Sequence, residues 1–264
     1  MTLTQSVFLG VFQGIAEFLP VSSSGHLIVL KHLFGLEDVP QVYDIILHLG
    51  TLLAVFVVFW KPVAGILGAI VRFFAKKNTE QDREYLALVV PAIVATAITA
   101  AAGLAVSKLD PAFGPRLVSA LWIVTGAMLI ASSFAKGART YEGLRWYHGL
   151  IIGLAQGLGT LPGISRSGIT IAGGLAAGLE REKAGEFAFL LAIPAILGAF
   201  VLELKDVGET IQAVGLPHLA LGFLTSFVVG FLALKLLMPL VRKGKLYWFA
   251  LYLVPAGILG LFFF

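Results

Sequence analysis

Long apolar stretches dominate the chain, and polar residues fall in short clusters between and inside them. A helical membrane crossing needs about 20 mostly apolar residues. Six stretches qualify, at roughly 41–60, 85–106, 115–135, 186–204, 217–238 and 247–264. Two further stretches are apolar but broken. One covers 2–35 and is interrupted by Pro20 and the serines after it; the other covers 147–179 and is interrupted at Thr160-Leu-Pro-Gly-Ile-Ser-Arg-Ser-Gly168. Each half of a broken stretch is short and carries polar groups. That pattern predicts helices that enter the membrane, turn and leave, with two full crossings as the alternative. The predicted fold is an all-α polytopic membrane protein with six full spans and two re-entrant helix hairpins, forming one domain over 1–264.

Composition agrees with this. The 264 residues are 58% hydrophobic and only 13% charged, whereas a soluble domain carries roughly 25% charged residues. The chain has 20 Phe and 30 Gly, and small residues let membrane helices approach closely. It has no cysteine, which excludes disulfides and thiolate metal sites. No cleavable signal peptide is expected, because the first 20 residues lack a basic start and contain Gln13 and Glu17.

The positive charges orient the chain. A hairpin returns the chain to the side it came from, and so do two full crossings. If residues 31–40 lie on side A, side B holds Lys61, Arg72, Lys76, Lys77, Arg83, Lys136, Arg139, Arg145, Arg181, Lys183, Lys235, Arg242, Lys243 and Lys245. Side A holds Lys31, Lys108, Arg116 and Lys205. That is 14 against 4, with Arg166 inside the second broken stretch. Positive loops stay in the cytoplasm, so side B is predicted cytoplasmic and both termini extracytoplasmic.

The broken stretches match each other at an offset of 143. Gly10, Gln13, Gly14, Ser22, Ser24, Gly25, Gly35, Leu36 and Glu37 correspond to Gly153, Gln156, Gly157, Ser165, Ser167, Gly168, Gly178, Leu179 and Glu180. Three crossings lie between the copies, an odd number, so the copies enter from opposite faces. This predicts an inverted-topology repeat, with repeat 1 over about 1–135 and repeat 2 over about 147–264. Its broken helices should meet near the midplane.

The chemistry sits in those breaks. Gln13 and Glu17 share a helix face at i, i+4. Pro20 ends that helix, Ser22, Ser23 and Ser24 fall in the turn, and His26 starts the next helix. The serines alone would suit helix capping, but a carboxylate at membrane depth is costly and marks function. In PGISRSGIT, Ser165, Arg166, Ser167 and Thr170 lie together where a helix is expected to begin near Gly168. Amides at such a turn and an arginine fork suit an anion, although Arg166 could instead simply neutralise Glu17. If the hairpins meet, the inventory suits phosphoryl chemistry. Glu17 would act as base or cation ligand, Arg166 and the amides would steady phosphate oxygens, and a serine, His26 or a water would attack phosphorus.

QGIAEFLPVSSSGH and PGISRSGIT resemble the two signature motifs of the bacterial undecaprenyl-diphosphate phosphatase family of the bacitracin-resistance type. The first has the form Glu/Gln-x-x-x-Glu followed by Phe-Leu-Pro-(Val/Ile)-Ser-Ser-(Ser/Thr)-Gly-His; the second is Pro-Gly-x-Ser-Arg-Ser-x-x-Thr. The resemblance implies hydrolysis of undecaprenyl diphosphate to the monophosphate carrier of cell-wall synthesis, in the bacterial plasma membrane, with Mg²⁺ or Ca²⁺. Carried over by position, it implies Glu17, His26, Ser23 and Arg166 as catalytic residues. It places Ser22, Ser165, Arg166, Ser167 and Thr170 on the substrate phosphates and Glu17 with Gln13 on the metal. Gln13 is the less acidic of the family's two options and leaves one anionic ligand fewer. The partners implied are a polyprenyl diphosphate and membrane lipids, with room for a homodimer and no nucleic acid. The competing function is a secondary transporter or flippase for an anionic lipid or phosphate-bearing solute, since inverted repeats with broken helices serve that class too. His48 is expected to be a packing residue near a helix start, with a place at the border of the site as the alternative. His32, His148 and His218 receive no role, and Glu37 and Glu180 are expected to open the helices after their Gly-Leu pairs.

Overall fold

The computed structural model describes residues 1–109 and 113–264, and no β-strand occurs among them. The helices are α1 (Leu3–Phe18), α2 (Ser23–Phe34), α3 (Gln41–Val58), α4 (Trp60–Phe74), α5 (Asp82–Leu109), α6 (Pro115–Ser133), α7 (Trp146–Leu158), α8 (Arg166–Ala176), α9 (Arg181–Glu203), α10 (Val207–Val214), α11 (Leu216–Arg242) and α12 (Ala250–Phe263). Six segments are long and apolar enough to cross a membrane: Gln41–Val58, Asp82–Leu109, Pro115–Ser133, Arg181–Val214, Leu216–Arg242 and Leu246–Phe263. They coincide with the six expected stretches. Two helices were not expected, α4 and α10. α4 follows α3 after Phe59 alone, and α10 extends α9 after a 3₁₀ turn.

The broken stretches form helix pairs. α1 and α2 meet at Leu19–Ser22, and α7 and α8 at Gly159–Ser165. At 1.5 Å per residue none of these four helices exceeds about 24 Å, against a hydrocarbon core of about 30 Å. Their starts are fixed locally. The Thr2 side chain caps α1 by accepting from Gln5 N, and the Ser22 and Ser165 hydroxyls cap α2 and α8 by accepting from Gly25 N and Gly168 N. α2 ends on Gly35, whose φ of +62° only glycine adopts without penalty. α8 therefore begins two residues earlier than the expected Gly168, and α2 begins at Ser23 rather than His26.

α1 runs parallel to α11: Gly10 lies against Gly222, Gly14 against Gly230, and Ser6 Oγ donates to the His218 carbonyl. α7 runs parallel to α5 in the same manner, with Gly149 against Pro91 and Gly153 against Ala95. α6 and α12 are antiparallel, Gly126 meeting Ala250 while Ser119 meets Gly257 and Gly260. No hydrophobic effect holds helices together inside lipid, so these seams depend on close backbone approach. At Gly14 a Cβ would lie 2.8 Å from Gly230 N and 2.9 Å from Ser226 O. Gly14→Leu is therefore expected to push α1 off α11 and destabilise the fold by at least about 1–3 kcal/mol. A thermal unfolding curve in detergent checks this, and an unchanged midpoint would remove the seam from the stability argument.

The interior is polar in places and the outside is apolar, as lipid immersion requires. Gln13, Gln156, Thr51, Thr125 and Ser226 are fully buried, while Leu236, Leu251 and Phe262 point outward. Charge collects at the helix ends. Arg72 pairs with Asp82, Lys183 with Glu84 at 2.8 Å, and Arg242 with Glu182, while Arg181 donates to Ser133 O at 3.1 Å. These contacts gather residues 72–84, 133–135, 180–184 and 242 at one end, as the loop count groups them. At the other end Lys31 pairs with Asp44 at 2.8 Å. Glu180 is the N-cap of α9, as expected. Glu37 does not open α3, whose N-cap is Pro40; it accepts from His32 at 3.0 Å instead.

Candidate active site

The two breaks meet, and Ser22 is the joint. Its backbone lies in the left-handed region at φ +68°, a conformation that costs a non-glycine residue of order 1–3 kcal/mol and concentrates at functional sites. Held there, its hydroxyl oxygen accepts from Gly25 N at 3.4 Å, at the start of α2, and from Gly163 N at 3.0 Å in the opposite break. Gly25 makes the approach possible, since a Cβ there would lie 2.9 Å from Gly163 N and from Trp122 Nε1. α6 pins the second break from its other side: Thr125 Oγ1 donates to Gly163 O at 2.9 Å and accepts from Ser165 N at 3.2 Å.

Glu17 is the centre of the arrangement. Its Oε1 pairs with the Arg166 guanidinium at the first turn of α8. Its Oε2 accepts from Gln13 Nε2 at 3.0 Å and from Ser23 Oγ at 2.7 Å. His48 Nε2 lies 3.3 Å from the same oxygen. Four helices, α1, α2, α3 and α8, thus hold one carboxylate. Glu17 is buried and the Arg166 side chain is 22% exposed, so the guanidinium is the more open side of the pair. A carboxylate is tolerated in such burial only when it is paired and hydrogen-bonded, and Glu17 is both.

The remaining candidates divide. Ser165 caps α8 through Gly168 N at 3.1 Å and lies 3.3 Å from Ser167 Oγ. Both are buried beside Arg166 at the N-terminus of α8, where amides and the helix dipole favour an anion. The Thr170 hydroxyl is spent one turn further along. It donates to Arg166 O at 2.7 Å and lies 3.4 Å from Gln156 Oε1. Gln156 in turn donates to Thr99 Oγ1 at 3.1 Å. His26 does not join Glu17. Its Nδ1 lies 2.8 Å from Ser22 O and its Nε2 2.7 Å from the Tyr252 hydroxyl. The ring is stacked between Phe12 and Trp122, with centroids 5.1 Å and 4.2 Å away.

His48 takes the alternative place, at the border of the site and beside the central carboxylate, rather than a purely packing one; an ionisable side chain inside a span marks function by default. One residue of this site is not legible in the sequence. Tyr252 gave no local signal, being one of several aromatics in the last span.

A divalent cation would find two oxygen donors here. Gln13 Oε1 is buried without a hydrogen-bond partner, on the side chain whose amide nitrogen already bonds Glu17. Among the described residues no cluster of three or more His, Cys, Asp or Glu is placed to enclose a metal. One carboxylate and one amide oxygen fit a hard cation such as Mg²⁺, which keeps waters and takes substrate phosphates as its other ligands.

Comparison with known proteins gives this geometry its family. The chain is 45% identical over 258 residues to the undecaprenyl-diphosphatase of Treponema denticola, covering 98% of this chain and 96% of that one. It is 43% identical over 261 residues to the undecaprenyl-diphosphatase of Desulfosudis oleivorans, covering 96% and 95%. A third relative, the undecaprenyl-diphosphatase of Alkaliphilus metalliredigens, is 40% identical over 272 residues, covering 100% and 99%. Residues 6–259 match the family described as bacitracin resistance protein BacA, and the chain belongs to that family.

Proposed function

We propose that this chain is an integral membrane phosphatase that hydrolyses undecaprenyl diphosphate to undecaprenyl phosphate and inorganic phosphate, recycling the carrier for cell-wall synthesis. The observation that carries the reading is the Glu17–Arg166 pair. It joins residues 149 positions apart, at the N-terminus of a helix, with the carboxylate buried. The relatives' shared name supplies the substrate.

The chemistry follows from what each side chain can do. Arg166 presents a planar fork on the open side of its pair, and an incoming terminal phosphate competes with Glu17 Oε1 for it. The amides opening α8, with the hydroxyls of Ser165 and Ser167, supply further donors for equatorial phosphate oxygens. Ser23 already points its proton at Glu17 Oε2. It is the hydroxyl best placed to attack phosphorus: its proton passes to Glu17, an Oγ–P bond forms, and the bridging P–O bond breaks with undecaprenyl phosphate leaving. Water then cleaves the phosphoserine and restores Ser23. Ser22 and Thr170 hold the frame, Ser22 by joining the breaks and Thr170 by bonding the first turn of α8. Gln13 and Glu17 would hold Mg²⁺ or Ca²⁺, which when bound supplies positive charge against the phosphate oxygens.

The membrane arrangement belongs to the same proposal. The short pairs α1–α2 and α7–α8 are re-entrant hairpins of an inverted-topology repeat, residues 1–135 and 147–264. Supporting this, α1 lies along the long helix of the second half while α7 lies along that of the first. The end bearing Arg72, Lys183 and Arg242 is cytoplasmic and the termini are extracytoplasmic, by the excess of positive loops.

Phosphate release from undecaprenyl diphosphate and Mg²⁺ by the purified protein in detergent micelles tests this. Release is expected, because a micelle has no two sides and transport alone yields no phosphate. A folded protein that releases none is a transporter or flippase at most.

A further inference from the structure

The aromatic box around His26 constrains that residue more tightly than its motif does. Nδ1 faces the Ser22 carbonyl at 2.8 Å. A carbonyl only accepts, so Nδ1 carries the proton and donates it. The neutral ring is then left with one lone pair, on Nε2, and the Tyr252 hydroxyl stands 2.7 Å from it. Tyr252 therefore donates to His26. The rings of Trp122 and Phe12 pack flat on the imidazole, inclined by 27° and 29°, and Tyr252 lies 18° from its plane. His26 is 4% exposed and Tyr252 47% exposed. The imidazole is thus closed off, and the tyrosine, delivered by α12 from 226 residues away, is its contact with the surroundings.

We infer that Tyr252 is a positioning residue of the site: with the Ser22 carbonyl holding the proton on Nδ1, its hydroxyl donates to Nε2 and anchors the imidazole that α2 carries just after Ser22 and Ser23. His26 reaches a water or a phosphate oxygen only through that hydroxyl or by displacing it. The reverse tautomer would leave Nδ1 facing the Ser22 carbonyl without a proton, whereas the tyrosine oxygen can accept from Nε2–H as readily as it donates to a bare Nε2. The Ser22 carbonyl therefore sets the tautomer, and the hydroxyl anchors the ring in it. The kinetic consequence rests on the phosphatase reading above; the tautomer does not.

The test uses the full chain in detergent. Histidine ¹⁵N spectra of the wild type, with His26 assigned by its loss in His26→Gln, should show a protonated Nδ1 and a bare, hydrogen-bonded Nε2. In Tyr252→Phe, which keeps the ring and removes the hydroxyl, the Nε2 signal should move to that of an unbonded imine nitrogen. Turnover of undecaprenyl diphosphate should fall about tenfold, the worth of one hydrogen bond, with KM unchanged. Tyr247→Phe, whose ring stacks on Trp248 in the 3₁₀ turn that precedes α12, should change neither. A wild-type His26 protonated on Nε2, or a Tyr252→Phe protein with unaltered turnover, overturns the inference. A wild type that releases no phosphate overturns the phosphatase reading, and the spectra alone then decide the pair.

Discussion

Arg166→Ala is expected to leave a protein that turns over undecaprenyl diphosphate about 10²–10³-fold more slowly, the scale of about 2.7–4 kcal/mol seen when a preorganised donor to a developing oxyanion is removed. The guanidinium stands at the first turn of α8, paired with Glu17 and partly open. It can meet a phosphate in the ground state and hold it more tightly as charge develops, so both KM and kcat should worsen. Removing it also leaves Glu17 buried without its cation, which costs roughly 3–5 kcal/mol of stability when no other group compensates. Here Gln13, Ser23 and His48 still face Oε2, so the folding loss should fall below that range. Arg166→Lys separates the two effects. It keeps the charge beside Glu17 and should recover most of the stability, but it loses the planar fork and should recover little turnover. Phosphate release and a thermal unfolding curve on both variants check this. Near-normal turnover in Arg166→Ala would make Arg166 a structural counter-ion only.

Glu17→Gln is expected to lower kcat by about 10²–10⁴-fold, the range for loss of a general base, without raising KM. The carboxylate accepts from Gln13 and Ser23 and pairs with Arg166. An amide of the same shape offers one acceptor oxygen and turns an NH₂ toward groups that are themselves donors. Ser23 loses the acceptor for its proton, while Arg166 is released to the phosphate. Substrate binding should hold or tighten as turnover collapses. Steady-state kinetics at saturating substrate read this split, and a variant that keeps its kcat and its cation dependence would take Glu17 out of the mechanism.

The sequence made much of this visible for physical reasons. Crossings are legible because lipid demands long apolar runs, and the breaks are legible because Pro20 and the Pro162-Gly163 pair cannot continue a helix. The i, i+4 pair Gln13–Glu17 and the compact PGISRSGIT turn could be read because their members are neighbours along the chain. α4 was missed because 15 residues with basic ends match neither a span nor a loop. His48 was legible only as a neighbour of the site and Tyr252 not at all, because their partners are long-range: α3 packing beside α1 brings His48 to Glu17, and α12 brings Tyr252 to His26. The Ser22 hydroxyl looked like a cap and is one, but its bond to Gly163 N depends on how two distant turns cross.

The central proposal is that Glu17 and Arg166 act as one unit on the diphosphate, and its most direct test is phosphate release from undecaprenyl diphosphate by wild type, Glu17→Gln, Arg166→Ala and the double variant, in one preparation with folding verified. Wild type should release phosphate, each single variant should lose most of the rate, and the double variant should be little worse than the worse single one. No release by folded wild type, or losses that multiply in the double variant, would contradict it.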